Sequence, residues 1–568
     1  MNEQKMTGYA SIDKPWLKFY SEEAINAPLP QCSMYEYLSQ KIKGREKLPA
    51  VDFFGAKLSY GELIKEIDRA AAAFHELGIR AGETVTICAI TTPEIICAIY
   101  GLNKLGAICN IIEPRVNAEQ IKHRIVEASS EVIVLCDVFY KKLSTIIAEL
   151  ELTAVIVPVT GSMPLGKRLA ASILGKSPKC RGIAWRKLMR LGEGKDVKSF
   201  YEKDHIAAII YTGGTTGIAK GVMLSDRAVN SVAQQYTLGI DIKTEKRFLN
   251  IMPPFIAYGF TCGLHMPLCG GVEVIIIPKF EPAKFASMIK KHRPNYFLGV
   301  PSHYEELMKG GELDGVELSF VDVAGMGGDA LNKETEVEIN EFFKQHNMNV
   351  AVDKGYGMAE MCSSACTTSP AINELGSVGV PLPHTVISIF EPGTDRELKY
   401  GESGEICITG PGMMHGYFGN SAETVKVIKK HADGLDWVHS QDIGYMTENG
   451  SLYVVGRIKR MLIRPDGHNV WPSQIESVIC EHPGVLQCSV VGRKVENGKN
   501  GVLPAAFIVA KEGFEHKKLR EELVKLNFKK LPERDIAQYY YFVDELPLTP
   551  VGKVDYRRLE QLADEAKE

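Results

Sequence analysis

The sequence predicts an α/β protein made of a large, multi-layer N-terminal domain and a small α+β C-terminal domain. The chain has 568 residues, and a single hydrophobic core stops growing near ~250–300 residues. In the first half, strand-like apolar runs alternate with helix-like stretches, which is typical of parallel sheets covered by helices. The last roughly 110 residues are more charged and mixed in pattern, and they suffice for a second domain. We therefore place the domains at 1–456 and 457–568.

The elements of the first half follow one another in a regular order. Ser59 and Glu62 form a candidate capping box at the start of a helix. The apolar residues of that helix recur at helical spacing: Leu63, Ile67, Ala70 and Phe74. Pro93 is expected to open the next helix. Buried strands are expected at 85–90, 132–136, 154–159 and 206–210.

The composition is that of a folded globular protein and excludes some classes. Hydrophobic residues make up 45% and charged residues 24%, and the net charge of −4 gives no reason to expect a nucleic-acid partner. The 13 cysteines are odd in number and scattered, as expected for reduced intracellular thiols. The first ten residues contain no apolar signal segment, and no apolar run reaches the ~18 residues of a membrane helix. We expect a cytoplasmic protein that does not span a membrane.

One segment, 161–198, departs from this composition. It contains ten basic and only two acidic residues, with apolar side chains interleaved among them. A basic amphipathic stretch of this kind can lie on an anionic membrane surface. The alternative is a solvated excursion from the domain surface. The segment therefore suggests peripheral contact with the inner face of a membrane.

The strongest local signal for chemistry is the glycine- and threonine-rich stretch from Tyr211 to Gly221. It follows an apolar strand, and its glycines permit the positive φ angles of a tight loop. Backbone amides and threonine hydroxyls in such a loop can surround phosphate oxygens, and Lys220 adds a positive charge. The pattern is not G-x-x-x-x-G-K-[ST], because Gly221 follows Lys220. A purely structural turn is the alternative that the loop alone leaves open.

The loop resembles the [YF]-T-[SG]-G-[ST]-T-G-x-P-K-G signature of the adenylate-forming family, with Ala219 in place of the proline. That family includes acyl-CoA synthetases, 4-coumarate–CoA ligases, nonribosomal peptide adenylation domains and firefly luciferase. Further segments resemble its other motifs in the same order: 327–331, 355–360, 401–405, 416–418, 442–444, 456–460, 467–476 and 547–553. The resemblance spans about residues 30–560 and implies the family's fold, with a large adenylate-forming domain and a mobile C-terminal domain.

The resemblance implies a nucleotide site and a metal ligand. Tyr356 is expected to stack on adenine, Asp442 to accept the ribose hydroxyls and Arg457 to reach ribose or phosphate. Glu360 is expected to hold the Mg²⁺ that bridges the phosphates, since Mg²⁺ takes one or two carboxylates plus phosphate oxygens. Ala359 replaces the family's threonine and removes one hydroxyl. The expected ATP-binding residues are Thr212, Gly213, Gly214, Thr215, Thr216, Gly217, Lys220, Gly328, Asp329, Ala330, Gly355, Tyr356, Asp442 and Arg457.

The C-terminal motifs imply the catalytic residue and the movement of the small domain. Lys553, in the P-x-T-x-x-G-K motif, is expected to stabilise the charge that builds when a carboxylate attacks the α-phosphate. Lys459 lies at the family's hinge, and Gly467 is expected near the CoA tunnel, although the spacing from Arg457 to Gly467 is one residue longer than usual. ATP, Mg²⁺ and coenzyme A are the cofactors and substrates that the resemblance implies.

The acyl pocket is expected to include Phe255, Ile256, Tyr258, Gly299 and Gly327. Many family members carry histidine where this chain has Ile256, and no acidic residue at the start of the pocket could pair with an amino-acid ammonium. An uncharged acyl tail therefore fits best, and a medium- or long-chain fatty acid–CoA ligase is our first hypothesis. An aryl- or other small-acid–CoA ligase and an acid–carrier-protein ligase or stand-alone adenylation enzyme remain as alternatives. A degenerate binding protein is disfavoured because the residues expected to carry the chemistry are all present: Lys553, Glu360, Asp442 and Arg457.

Overall fold

The α/β fold class is confirmed. The structure is a computed structural model that describes residues 6–174, 180–212, 219–240, 242–495, 501–548 and 554–566. Two large sheets and a small antiparallel sheet make up the N-terminal domain, and a separate small sheet with three helices dominates the C-terminal domain.

The strands within these ranges are numbered in chain order. They are β1 (Pro49–Phe53), β2 (Ala56–Ser59), β3 (Thr84–Cys88), β4 (Ile108–Ile111), β5 (Val132–Cys136), β6 (Thr153–Val157), β7 (Ile183–Ala184), β8 (Ile206–Tyr211), β9 (Gly221–Ser225), β10 (Arg247–Asn250), β11 (Glu273–Ile276), β12 (Tyr296–Gly299), β13 (Val323–Met326), β14 (Asp353–Tyr356), β15 (Cys366–Thr367), β16 (Val380–Pro381), β17 (Val386–Phe390), β18 (Gly404–Thr409), β19 (Gly416–Tyr417), β20 (Ile428–Lys430), β21 (Asp436–Met446), β22 (Leu452–Arg457), β23 (Leu462–Ile463), β24 (Asn469–Val470), β25 (Val485–Lys494), β26 (Val502–Ala510) and β27 (Tyr539–Phe542).

The α-helices are numbered in the same way. They are α1 (Ala10–Asp13), α2 (Glu22–Asn26), α3 (Met34–Lys41), α4 (Tyr60–Glu76), α5 (Pro93–Lys104), α6 (Ala118–Glu127), α7 (Tyr140–Glu149), α8 (Leu165–Leu174), α9 (Trp185–Leu191), α10 (Asp226–Gly239), α11 (Met266–Cys269), α12 (Phe285–His292), α13 (Pro301–Met308), α14 (Lys333–Gln345), α15 (Ser421–Val427), α16 (Pro472–Cys480), α17 (His516–Lys530) and α18 (Tyr556–Glu565).

The first large sheet has eight strands in the order β19-β9-β8-β4-β3-β5-β6-β7. The strands from β8 to β7 in this order run parallel, whereas β9 and β19 are antiparallel at one edge. The strands predicted at 85–90, 132–136, 154–159 and 206–210 are β3, β5, β6 and β8. The antiparallel edge was not predicted, because a short connection that folds back leaves no mark on hydrophobic periodicity.

The second large sheet has nine strands in the order β16-β15-β14-β13-β12-β10-β11-β1-β2. Its six central strands are parallel, and the strands at both ends are antiparallel. The core between the two large sheets contains helices. All twelve residues of α5 are buried, and its first turn is capped by the Thr92 hydroxyl, which accepts from the amide of Ile95. The capping box of Ser59 and Glu62 opens α4 as predicted.

The third sheet closes the N-terminal domain and leads to the C-terminal one. It pairs β17-β18-β21-β20 antiparallel, with β22 beside β21, and ends at Arg457. In the C-terminal domain, β25, β26 and β27 form a sheet that packs on α16 and α18. Gln487 donates to Glu305 over 3.3 Å, and Lys511 lies 3.7 Å from Glu338, so α13 and α14 contact the small domain. The boundary at residue 456 stays a prediction.

The basic segment 161–198 is partly a core element, which corrects its interpretation as one amphipathic surface. Trp185, Leu188 and Met189 of α9 are buried against α4, where the Trp185 ring meets Phe74 edge-on at 6.3 Å. These side chains are therefore not available to a membrane. No helix in the described part of the chain is long and apolar enough to cross a membrane.

Candidate active site

The carboxyl ends of three neighbouring parallel strands form one side of the candidate site. β12, β13 and β14 lie side by side, and ligands of open α/β sheets bind at this kind of edge. The amide of Gly327 donates to the carbonyl of Gly299 over 3.1 Å. A β-carbon at residue 327 would stand 3.2 Å from the Gly355 carbonyl oxygen, so glycine permits this close approach. Segments that lie far apart in the sequence are therefore adjacent here.

The turn after β13 carries three of the residues that were predicted to bind ATP. Gly328 has a φ of +82°, which favours glycine, and Asp329 and Ala330 follow it on the exposed surface. The Asp329 carboxylate accepts from the amide of Ala330 over 2.9 Å. The turn therefore presents backbone groups beside the end of β14, where Tyr356 lies.

Tyr356, Asp442 and Arg457 form one hydrogen-bonded group. The Tyr356 hydroxyl donates to Oδ2 of Asp442 over 2.7 Å, and Nε of Arg457 donates to Oδ1 over 2.8 Å. Asp442 and Arg457 are directly opposite each other in the β21–β22 pair. Each carboxylate oxygen accepts one of these bonds and has a second lone pair for a further donor. This geometry suits an acceptor of ribose hydroxyls.

Burial and the guanidinium of Arg457 act on the Asp442 carboxylate in opposite directions. Burial raises the pKa of Asp442, while the charge of Arg457 opposes that shift. The same carboxylate raises the pKa of Arg457 above its ordinary value. The Asp442 side chain is 6% exposed, whereas that of Arg457 is 55% exposed. Arg457 therefore neutralises a buried acid and still presents its guanidinium to solvent.

A second group of side-chain contacts forms around Tyr417, whose partners Glu360 and Lys220 lie far from it in the sequence. The Tyr417 hydroxyl donates to Oε1 of the buried Glu360 over 2.6 Å. Nζ of Lys220 lies 4.2 Å from the centre of the Tyr417 ring and 3.1 Å from Oε2 of Glu423. Hydrogen bonds from Lys426 and Lys220 lower the pKa of Glu423 to about 2. The predicted phosphate-loop lysine and the predicted metal ligand thus share one neighbour, Tyr417.

Glu360 fits the donor chemistry that Mg²⁺ requires. Its carboxylate offers hard oxygen ligands in a short turn after β14. Among the described residues, no group of three or more potential metal ligands includes Glu360. A metal here would therefore take most of its other ligands from phosphate and water, which is the usual way Mg²⁺ is held beside nucleotides.

The predicted phosphate loop joins β8 and β9. The amide of Thr212 donates to the carbonyl of Lys220 over 3.0 Å, and the Lys220 amide donates to the Thr212 hydroxyl over 3.4 Å. This holds both ends of the loop together where β8 ends and β9 begins. The other predicted loop residues lie outside the described residues: Gly213, Gly214, Thr215, Thr216 and Gly217.

The predicted acyl-pocket residues form an apolar, uncharged group. Phe255 is buried, and Ile256 packs against the cores on both sides of it. Tyr258 begins a buried π-helix, a feature common at functional sites, and its ring would lie 3.8 Å from a β-carbon at Gly327. Burial lowers the pKa of the nearby His303 to about 4, so this imidazole is neutral at pH 7.

The C-terminal residues are placed only in part. Lys459 lies in the short turn Ile458–Arg460 that directly follows β22, between the two domains. Gly467, with a φ of +82°, lies at the exposed tip between β23 and β24. Lys553 lies outside the described residues, but Leu548 and Val554 on either side of 549–553 pair in an antiparallel bridge. The catalytic, hinge and CoA roles of these three residues stay predictions.

Two contacts of the site were not predicted from the sequence. Glu423 as the partner of Lys220 had no local signal, because an acidic residue at the start of α15 is ordinary for a helix N-terminus. Tyr417 belonged to a segment that resembles a family motif, but its hydrogen bond to Glu360 joins residues 57 positions apart. Only the fold brings these groups together.

Comparison with known proteins identifies the family. Residues 38–418 match the family described as AMP-binding enzyme, and residues 474–553 match the AMP-binding enzyme C-terminal domain. The long-chain-fatty-acid–CoA ligase of Bacillus subtilis (strain 168) is 29% identical over 562 residues, which cover 96% of this chain and 97% of that protein. The probable 4-coumarate–CoA ligase 1 of Dictyostelium discoideum is 29% identical over 556 residues, which cover 94% and 96%.

Solved structures share the fold at lower identity. ATP-bound MatB from Rhodopseudomonas palustris aligns with a TM-score of 0.80 at 23% identity, over 94% of this chain and 99% of that one. The anthranilate CoA ligase AuaEII with anthranoyl-AMP gives 0.81 at 20% identity, over 94% and 98%. With both domains matched by the family models, the chain belongs to the AMP-binding enzyme family, and it is an ATP-dependent acid–thiol ligase of the adenylate-forming, AMP-releasing type.

Proposed function

We propose that the enzyme joins a medium- or long-chain fatty acid to coenzyme A by way of an acyl-adenylate. The observation that carries this proposal is the apolar group at Phe255, Ile256 and Tyr258. It contains no charge that would pair with an amino-acid ammonium, and His303, which lies next to the predicted pocket residue Gly299, is neutral at pH 7. Burial of an aliphatic chain against such a wall is favourable in proportion to the apolar area removed from water.

The reaction has two steps, and the described residues suit the first of them. A carboxylate oxygen of the acid attacks the α-phosphorus of ATP, and pyrophosphate leaves. Tyr356, Asp442 and Arg457 would hold the nucleoside, and Lys220 and Lys553 would offset the charge of the phosphates and of the attacking carboxylate. Glu360 would hold Mg²⁺, which supplies further neutralisation of phosphate charge. In the second step, the CoA sulfur attacks the acyl carbon and AMP leaves with the oxygen that came from the acid.

An aryl- or small-acid–CoA ligase is the second candidate. It is favoured by the 4-coumarate–CoA ligases among the similar proteins, which include those of Dictyostelium discoideum and Petroselinum crispum at 27–29% identity. Identity at this level does not distinguish their acids from fatty acids, so the pocket must be tested directly. An acid–carrier-protein ligase remains the third candidate, and a parallel assay with a carrier protein in place of CoA separates it.

Chain length should control catalytic efficiency if the proposal is right. We expect kcat/KM for straight-chain acids to rise by about fourfold per methylene over the part of the chain that is buried (~0.8 kcal/mol each) and to exceed the values for coumarate and benzoate. Ile256→Ser should flatten this rise, whereas Ile12→Ser, at a residue 63% exposed, should not. A profile that falls beyond about four to six carbons, or a preference for an aromatic acid, would contradict the fatty-acid assignment.

We also propose a peripheral contact with the inner face of a membrane. It would be made by the exposed residues of the basic segment 161–198. Leu165 and Leu169 of α8 are 62% and 54% exposed, and Arg186, Lys187 and Arg190 project from the outer side of α9. Each basic residue near an anionic surface contributes about 1 kcal/mol. The segment therefore offers both apolar side chains for insertion and positive charge for attraction.

Vesicle sedimentation tests this contact. The protein should sediment with vesicles of phosphatidylcholine and phosphatidylglycerol, less with phosphatidylcholine alone, and less again at high salt. Leu165→Ser with Leu169→Ser should reduce binding, whereas Val126→Ser with Val138→Ser, at apolar residues 56% and 55% exposed elsewhere, should not. Equal binding to both vesicle types, or none, would leave the segment as a solvated surface.

A further inference from the structure

Asp442 is the last residue of an irregularity in β21. In the antiparallel pair of β18 and β21, Glu405 is opposite Ile443 and Cys407 is opposite His439. Three residues of β21 therefore face one residue of β18. Within this bulge Gln441 has a φ of +62°, the left-handed conformation that is uncommon outside glycine. Bulges re-aim side chains and occur next to active sites.

The carboxylate of Glu405 holds both sides of the bulge. Its Oε1 accepts from the amide of Gln441 over 3.1 Å, and its Oε2 accepts from Nδ1 of His439 over 2.9 Å. Glu405 is 4% exposed, so these partners are not replaced by water. Without the carboxylate, a buried amide and a buried imidazole N–H would lose their acceptors, which costs more than an ordinary hydrogen bond contributes.

Ser440 joins the bulge to Asp442 itself. Its hydroxyl donates to the carbonyl of Ile406 over 2.6 Å and accepts from the Asp442 amide over 3.0 Å. The backbone of Asp442 is therefore fixed through Ser440, and the preceding residue is fixed through Glu405. The side chain of Asp442 then meets Tyr356 and Arg457, as described above.

The same cluster has the composition of a metal site, but its hydrogen bonds favour a structural role. Ligand atoms of Glu405, Cys407 and His439 lie within 4.8 Å of one another. Both oxygens of Glu405 already accept from the bulge, and burial raises the pKa of the Cys407 thiol. Nε2 of His439 lies 2.9 Å from Nε2 of His431, so with Nδ1–H donated to Glu405 it accepts a hydrogen bond from that ring rather than facing an open position. Every ligand atom thus has a hydrogen-bond partner, because Sγ of Cys407 also lies 3.5 Å from Nδ1 of His439.

We propose that Glu405 is a positioning residue for the nucleotide, which fixes the bulge that aims Asp442 at the ribose. The proposal rests on the expectation that Asp442 accepts the ribose hydroxyls. It predicts that loss of Glu405 weakens recognition of the ribose hydroxyls and leaves recognition of the phosphates unchanged. Glu405 itself does not touch the nucleotide.

Binding of ATP and of 2′,3′-dideoxy-ATP, measured by calorimetry without acid or CoA, tests the proposal. The wild-type protein should prefer ATP by about tenfold to a hundredfold, the range expected for hydrogen bonds to a charged acceptor. Asp442→Asn and Glu405→Ala should each reduce this preference to about threefold or less, and the double variant should show no further loss. Glu405→Gln, which keeps one carbonyl oxygen, should lie between.

A matched control separates positioning from general destabilisation. Glu273 is also buried and paired, with Lys57 at 2.6 Å and Arg247 at 3.1 Å, but it lies in β11. Glu273→Ala should leave the preference for ATP unchanged even if the melting temperature falls. If Glu405→Ala does not fold, Ser440→Ala carries the test, because it removes the other contact that holds the bulge.

The outcomes distinguish failure of the positioning role of Glu405 from failure of the ribose assignment of Asp442. If Asp442→Asn loses the preference for ATP while Glu405→Ala or Ser440→Ala keeps it, the positioning role is wrong. If the wild-type protein binds both nucleotides equally, the ribose assignment of Asp442 is wrong and the positioning role fails with it. Neither result bears on which acid the enzyme activates.

Discussion

Lys553→Ala should nearly abolish acyl-adenylate formation while ATP binding stays measurable. Two anions must meet when a carboxylate attacks the α-phosphate, and negative charge builds in the transition state. A lysine placed between them stabilises that charge more than it stabilises the bound substrates, so its loss falls on kcat. We expect a decrease of about a hundredfold to a thousandfold in acid-dependent pyrophosphate release, the range for loss of one such donor.

Lys518→Ala is the matched control for Lys553→Ala. Lys518 is an exposed lysine of α17 in the same small domain, so its replacement removes the same charge from a surface helix. This variant should retain activity within about twofold, as surface substitutions usually do. Near-normal pyrophosphate release by Lys553→Ala would remove Lys553 from the mechanism.

Lys459→Pro should slow thioester formation while acyl-adenylate formation is largely kept. One cleft cannot easily hold Lys553 at the α-phosphate and also open a path for the thiol, so the two steps should use different orientations of the small domain. Lys459 lies in the turn between β22 and that domain. Proline fixes φ near −65° and would restrict rotation there. We expect single-turnover thioester formation to slow by on the order of tenfold, with adenylate formation nearly unchanged.

Lys459→Ala separates the effect of backbone rotation at residue 459 from the effect of its side chain. Alanine removes the charge but leaves the backbone free, so this variant should form thioester at close to the wild-type rate. The neighbouring turn residue Arg460 is anchored to the small domain, with its guanidinium 3.9 Å from the centre of the Tyr556 ring and a further contact to Glu476. Equal losses in both steps, or equal losses in both variants, would show that Lys459 acts by contact.

Local sequence patterns predicted the parallel part of the fold well. A capping box and an apolar run are properties of a few adjacent residues, so α4 and β5 could be located without knowledge of their neighbours. The antiparallel third sheet was not predicted, because pairing partners such as β18 and β21 are about 30 residues apart and their contact depends on the whole domain. The buried face of α9 was misread for a similar reason, since its basic residues suggested a surface while α4 covers the opposite side.

The candidate site was predicted mainly by resemblance, and the structure adds the contacts between its parts. Tyr356, Asp442 and Arg457 were named separately, and the structure joins them within 2.8 Å. The contacts of Tyr417 with Glu360 and Lys220 could not be predicted, because the residue before β9, the turn after β14 and the strand β19 meet only after both large sheets have formed. The positive φ of Gln441 also had no sequence signal, since glutamine is not a residue that favours it.

The central claim is that the acid is activated as an adenylate, and an isotope measurement tests it most directly. A fatty acid labelled with oxygen-18 in both carboxylate oxygens would be turned over with ATP and CoA, and the products analysed by mass spectrometry. Attack by the carboxylate on the α-phosphorus, followed by transfer of the acyl group to sulfur, leaves one labelled oxygen in AMP and one in the thioester. Unlabelled AMP, or ADP with labelled orthophosphate, would contradict the account.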